Sequence, residues 1–165
     1  MSKNLDVHYS SKSNEWSTPQ WLYDYLNEKY KFTLDPASDG ENQKCSKFYT
    51  QLDNGLEQDW YNDSVFCNPP YGRELSKWVK KAFEESLLGD NPIVLLIPAR
   101  PDTSYWHDYI FNKADTILFI RGRLKFGDSN NSAPFPSAII IYNDVNKTNN
   151  KDIAAIDLRT IVNDK

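Results

Sequence analysis

The sequence predicts an α/β fold: a largely parallel sheet with helices packed on it and one antiparallel strand at its edge. Three stretches carry that expectation. Ile93-Val94-Leu95-Leu96-Ile97 is apolar at every position, as expected of a strand covered on both faces. Ser64-Val65-Phe66-Cys67-Asn68-Pro69-Pro70-Tyr71 reads as a strand that ends in a stiff turn, because proline has no amide donor and fixes φ. The segment from Glu74 to Leu88 then has apolar residues at 75, 78, 79, 82, 83 and 87, which is helical spacing. Strand, turn and helix in that order present Asn68 and Tyr71 at the carboxyl edge of a sheet, where ligands bind in open α/β folds.

The other elements follow along the chain. Residues 1–15 are polar and read as a flexible arm. Trp16-Ser17-Thr18-Pro19 precedes an apolar pattern at Trp21, Leu22, Tyr25 and Leu26, so Thr18 is expected as N-cap with Pro19 at the first helical position. Phe32-Thr33-Leu34-Asp35-Pro36 reads as a strand ending in a carboxylate and a turn, followed by the polar loop Ala37-Ser38-Asp39-Gly40-Glu41-Asn42. A carboxylate at that position can hold ammonium or hydroxyl groups of a ligand, and it can equally be an ordinary Asp-Pro turn. Residues 41–58 have little periodicity and predict an irregular crossing with a short Lys47-Phe48-Tyr49 strand. Beyond Ile97, Asp102 or Thr103 can cap a helix that turns Tyr105, Trp106, Tyr109 and Ile110 inward. Thr116 to Ile120 and Ser137 to Tyr142 are the last clear strands, and the loop that joins them predicts an antiparallel pair at one sheet edge. Residues 143–152 read as a linker and 153–162 as a short terminal element.

At 165 residues the chain is expected to form one domain spanning 1–165. Hydrophobic residues make up 39% and charged residues 25%, enough apolar material to fold. Without a long apolar run or an apolar leader after Met1, no membrane span or secretion is expected, and a cytoplasmic protein is. Two cysteines and two histidines stand in no metal-binding spacing, so no metal is expected and both thiols read as reduced. A net charge of −4 weighs against a strong nucleic-acid binder but leaves room for a local basic patch. Arg121, Arg123 and Lys125, interleaved with Leu124 and Phe126, are the candidate patch; they can face phosphates or form a solvated edge. Lys77, Lys80 and Lys81, balanced by Glu84 and Glu85, read as a solvated helix face.

Chemistry concentrates in Asn68-Pro69-Pro70-Tyr71. The Asn68 side-chain carbonyl and the Pro69 main-chain carbonyl are neutral acceptors that can take both hydrogens of a planar exocyclic amine. Tyr71 offers a face on which a base can stack, worth roughly 1–3 kcal/mol. A Pro-Pro turn alone is more often structural; the tetrapeptide between a strand and an amphipathic helix favours a site. Asp59 can accept from an adenine amine, with Trp60 shielding the ring.

On these residues the chain resembles the phage-type DNA adenine-N6 methyltransferases, a compact branch of the S-adenosylmethionine-dependent amino-methyltransferases, from about Trp16 to Tyr142. Asn68-Pro69-Pro70-Tyr71 looks like that group's catalytic tetrapeptide. Leu34-Asp35-Pro36-Ala37-Ser38 with Gly40 is similar to its cofactor loop in a glycine-poor form. Trp16-Ser17-Thr18-Pro19 looks like the element that touches the methionine end of the cofactor, and Asp59-Trp60 stands where the acidic residue near the cofactor's adenine is expected. The resemblance implies a reduced Rossmann-like methyltransferase sheet, S-adenosylmethionine as cofactor, and DNA as partner. It also implies a target adenine flipped out of the duplex. Specificity is then expected from loop 127–136, a homodimer or a second subunit. Two alternatives stay open: the same acceptors suit an RNA base amine or a protein glutamine, and the fold can serve as a non-catalytic binding module.

Overall fold

The computed structural model describes residues 16–127, 129–146 and 152–157. Among these, seven strands form one sheet: β1 (Leu34–Asp35), β2 (Lys47–Phe48), β3 (Val65–Cys67), β4 (Ile93–Pro98), β5 (Thr116–Arg121), β6 (Ser137–Tyr142) and β7 (Asp152–Asp157). Their order is β2-β1-β3-β4-β6-β5-β7. β2, β1, β3 and β4 run parallel to one another, β6 is antiparallel to both β4 and β5, and β7 lies parallel to β5. Helices α1 (Gln20–Tyr30), α2 (Leu75–Ser86) and α3 (Ser104–Tyr109) pack on the sheet.

The antiparallel strand, expected at an edge, is not there. β6 lies inside the sheet, registered along all of β4 from Ile93↔Tyr142 to Pro98↔Ser137, with β5 and β7 outside it. Its composition explains the placement: Ser137-Ala138-Ile139-Ile140-Ile141-Tyr142 is buried throughout, which an open edge strand would not be. With seven strands the sheet is ample in number; what is short is β1 and β2, two residues each.

Alternation along β3, β4 and β6 divides the core between the two faces. Val65, Cys67, Ile93, Leu95, Ile97 and Ile140 meet Trp78, Val79 and Trp106 from α2 and α3. Phe66, Val94, Leu96, Ile139 and Ile141 meet Leu22, Tyr23 and Leu26 from α1. The central strands are thus covered on both sides, as their unbroken apolar runs require.

Three local expectations are corrected. Helix α1 begins at Gln20 with Pro19 in the capping position, and no side chain caps it. In α2 the inward residue of the last turn is Glu85, 5% exposed, whereas Leu87 is 70% exposed. Glu85 accepts from the backbone amides of Trp60 and Tyr61 at 2.8 and 3.0 Å and pairs with Lys81 at 2.7 Å. The Lys81–Glu85 pair therefore belongs to the core edge, while Lys77–Glu74 and Lys80–Glu84 remain on the exposed face. Of the stretch expected to be a linker, Asn143 donates to the carbonyls of Ser86 and Gly89, and Asp144 accepts from Thr116 and Tyr30. The arm at 1–15 lies outside the described residues.

Candidate active site

Because β1, β3 and β4 are parallel, their carboxyl ends bring Asp35, Asn68 and Ala99 to one edge of the sheet. Asn68 follows β3 directly, and its side chain is held from one direction. Nδ2 donates to the Trp16 carbonyl at 2.6 Å and to the Thr18 hydroxyl at 3.0 Å. A carbonyl can only accept, so the atom facing Trp16 must be the amide nitrogen, and the orientation of the amide is fixed. The opposite atom, Oδ1, is buried and has no hydrogen-bond partner. An unmade buried acceptor costs roughly 1–3 kcal/mol, which a ligand N–H would remove.

Tyr71 stands at the edge where the two core layers meet and packs against both. Its hydroxyl donates to the Leu96 carbonyl at 3.1 Å, and burial raises its pKa well above the ordinary phenol value, so it stays neutral. Trp16 stacks on its ring at 6.4 Å between centroids, with Phe126 and Phe135 edge-on at 6.3 and 5.6 Å. Between Asn68 and Tyr71, Pro69 is buried and Pro70 exposed, which keeps the turn rigid.

Backbone bonds draw the 122–136 loop onto this corner. Gly127 N donates to Ser17 O at 2.8 Å, Ala133 N to Leu124 O at 2.7 Å, and Ala99 N to Pro136 O at 2.9 Å. From Arg123 onward the loop alternates: Arg123 and Lys125 are exposed, Leu124 and Phe126 buried. The cations therefore face solvent while Phe126 walls the aromatic cluster beside Tyr71. Among the described residues neither Arg123 nor Lys125 is in an ion pair; Arg121 pairs with Asp157 at 3.2 Å.

The cofactor-loop candidates form a second group. Asp35 is 5% exposed, and its carboxylate accepts from Ala37 N at 3.2 Å and Lys44 N at 3.0 Å. Burial pushes its pKa up, and the two backbone amides pull it part of the way back. Each carboxylate oxygen carries one such bond, so lone pairs remain for a ligand donor. Pro36 and Ser38 are buried, Ala37 is half-buried, and Ser38 Oγ accepts from Gly40 N at 3.0 Å. Ser17 reaches this loop, its hydroxyl accepting from Asn42 Nδ2 at 3.0 Å. These bonds tie the Asp35 loop to the 16–19 segment, which in turn holds Asn68.

Asp59 and Trp60 part company. Asp59 is exposed, but Trp60 is 0% exposed, stacked on Trp78 at 6.0 Å, with its indole N–H donated to the Gly55 carbonyl at 2.8 Å. Trp60 offers no open face and is a core residue, not a shield for a ligand ring. Thr18 is corrected too: its hydroxyl serves Asn68 instead of the helix end. The sequence pattern gives no sign of Arg73 or Arg100 near this corner. Both arginines are exposed, one two residues past Tyr71 and one just beyond β4, and neither is in an ion pair among the described residues.

Among the described residues no group of three or more His, Cys, Asp or Glu is placed to hold a metal ion. None of the described helices is long and apolar enough to cross a membrane.

Fold and site together define a class: a mixed α/β protein with a buried, unpartnered amide oxygen and an aromatic ring at the carboxyl edge of its parallel strands. The chain belongs to the DNA N-6-adenine-methyltransferase (Dam) family, which it matches over residues 7–162. It is 40% identical over 104 residues to the DNA N-6-adenine-methyltransferase of Escherichia phage T1, a match covering 62% of this chain and 43% of that protein. It is 28% identical over 140 residues to the DNA N-6-adenine-methyltransferase of Haemophilus phage HP1, covering 80% of each. The match thus spans less than half the length of the T1 relative and most of the HP1 relative.

Proposed function

We propose that this chain transfers a methyl group from S-adenosylmethionine to the exocyclic N6 amine of adenine in duplex DNA. One observation carries the reading: the buried, unpartnered Oδ1 of Asn68, locked in place as an acceptor. Family membership supports adenine as the acceptor base.

Asn68 Oδ1 and the Pro69 carbonyl accept the two amine hydrogens, which draws the nitrogen lone pair out of conjugation with the ring. Both acceptors are neutral, so they raise the amine's nucleophilicity without forming an ion pair that would have to break. Pro70 stiffens the turn that sets their spacing, and Tyr71 stacks on the base. An amine within a paired and stacked duplex is out of reach, so the base is flipped into the corner lined by Trp16, Tyr71, Phe126 and Phe135. Arg121, Arg123 and Lys125 bind the phosphates around it, with loop 127–136 or a second subunit reading the sequence.

S-adenosylmethionine, when bound, supplies a methyl group made electrophilic by its sulfonium and is left as S-adenosylhomocysteine when the S–C bond breaks, while the methylated amine gives up one of its two hydrogens as a proton to solvent. Asp35, with Pro36, Ala37 and Ser38, holds its hydroxyl or ammonium groups, and Trp16, Ser17, Thr18 and Pro19 border its methionine end. Asp59 accepts from its adenine amine. The chain's part is to bind, orient and exclude water. The sheet serves as a Rossmann-like methyltransferase scaffold in a single domain, acting in the cytoplasm where its DNA is.

Incubation of the protein with duplex DNA and methyl-labelled S-adenosylmethionine tests this. Label is expected in DNA, and Asn68→Ala is expected to lower the rate by about a hundredfold or more. Equal rates for the two proteins would remove Asn68 from the chemistry. Label in RNA or protein and none in DNA would move the acceptor.

A further inference from the structure

We propose that Thr18 is a positioning residue for Asn68: with the Trp16 carbonyl it engages the side-chain NH2 and so keeps Oδ1 turned to the substrate amine. The proposal rests on the methyltransferase reading above. An amide turned over about its last bond would present NH2 to the incoming NH2, donor against donor, and could not accept a hydrogen from it. Two acceptors prevent this, the Trp16 carbonyl at 2.6 Å and the Thr18 hydroxyl at 3.0 Å. The Trp16 carbonyl is main chain and survives any substitution, so Thr18 is the one member of the lock that a side-chain change can remove.

The local sequence explains why this threonine does not cap its helix. A residue before proline is pushed out of the helical region toward extended backbone. Thr18 precedes Pro19, which itself holds the capping position with φ −56° and ψ 131°. The Thr18 hydroxyl is thereby aimed away from the amides of α1 and toward Asn68, 50 residues further along the chain. Thr18 is 7% exposed, so water does not readily replace the bond.

Thr18→Val keeps the shape and removes the acceptor; Thr18→Ser restores it; Thr18→Ala checks that no clash is responsible. With DNA and S-adenosylmethionine both saturating, Thr18→Val and Thr18→Ala are expected to lower kcat about tenfold, the scale of one hydrogen bond. KM for DNA should change little, and Thr18→Ser should recover most of the rate. A second readout needs no turnover: the ¹⁵N-labelled side-chain amide pair of Asn68, assigned by its loss in Asn68→Ala. Its hydrogens should exchange faster in Thr18→Val than in wild type and Thr18→Ser. Unchanged kcat, or a fallen kcat with unmoved Asn68 amide signals, would overturn the proposal. Inactive wild-type protein would instead defeat the methyltransferase reading, and the amide signals would still decide whether the lock exists.

Discussion

Asn68→Asp preserves the size of the side chain and removes both of its amide hydrogens. In the wild type these serve the Trp16 carbonyl at 2.6 Å and the Thr18 hydroxyl at 3.0 Å. The substitution sets a carboxylate oxygen against a carbonyl oxygen at the shorter of those distances. Two missing bonds at about 0.5–1.5 kcal/mol each, plus about 1–3 kcal/mol for the stranded carbonyl, come to roughly 2–6 kcal/mol. For a chain of this length each kcal/mol moves the melting point by about 2–4 °C, so a fall of roughly 5–20 °C is expected near neutral pH. The loss depends on pH with a definite sign. The introduced carboxyl, when protonated, can donate one bond to Trp16, so its folded pKa lies above the unfolded value of about 3.9. The native state then holds a proton that the unfolded state has released, and the penalty grows as pH rises through the folded value. Thermal melts of both proteins at about pH 4.5 and pH 8 should show a wider gap at the higher pH. A variant that melts with the wild type at pH 8, or a gap independent of pH, would refute the reasoning.

Three further outcomes are expected. Burial raises the Asp35 pKa, so its carboxylate protonates at a higher pH than an ordinary one; affinity for S-adenosylhomocysteine, by calorimetry, should fall on acidification before ordinary carboxylates titrate, and Asp35→Asn should flatten that dependence. The same raised value means that whatever stability the group contributes is present at low pH and is lost as pH rises through the folded pKa. Gly55→Ala would bring a Cβ within 2.1 Å of the Pro36 carbonyl oxygen and 3.1 Å of the Trp78 ring; overpacking of about 1–3 kcal/mol should lower the melting point and, by shifting Pro36, weaken S-adenosylhomocysteine binding. Arg123→Ala with Lys125→Ala should weaken DNA binding at all sequences and reduce its salt slope by about 0.9 for each phosphate no longer neutralised, with S-adenosylhomocysteine affinity unchanged.

Elements with strong local patterns are legible from the chain alone. Ile93 to Ile97 and Ser137 to Tyr142 are buried strands, and the periodicity of α2 holds from Leu75 to Ala82. What local pattern cannot carry is partner choice. Nothing near β6 says that it inserts between β4 and β5, because strand order is decided by pairing across the chain. Glu85 reads as a surface charge until the backbone amides of Trp60 and Tyr61, 25 and 24 residues away, are seen to need an acceptor. Asp59-Trp60 reads as one unit, yet Asp59 lies in solvent and Trp60 in the core, where its ring meets Trp78 and its indole N–H meets the Gly55 carbonyl. Thr18 reads as a helix cap because its true partner lies at Asn68. The tetrapeptide at 68–71 is legible as a site because it combines a strand end, two prolines and an aromatic ring within four residues; the lock that orients it is not.

The most direct measurement is identification of the methylated nucleoside. Duplex DNA is incubated with the protein and S-adenosylmethionine bearing a trideuterated methyl group, then digested and resolved by mass spectrometry. N6-trideuteromethyl-deoxyadenosine in the wild-type digest, and little or none with Asn68→Ala, is the predicted result. Label on cytosine alone, or none on any base while S-adenosylmethionine remains bound to folded protein, would contradict it.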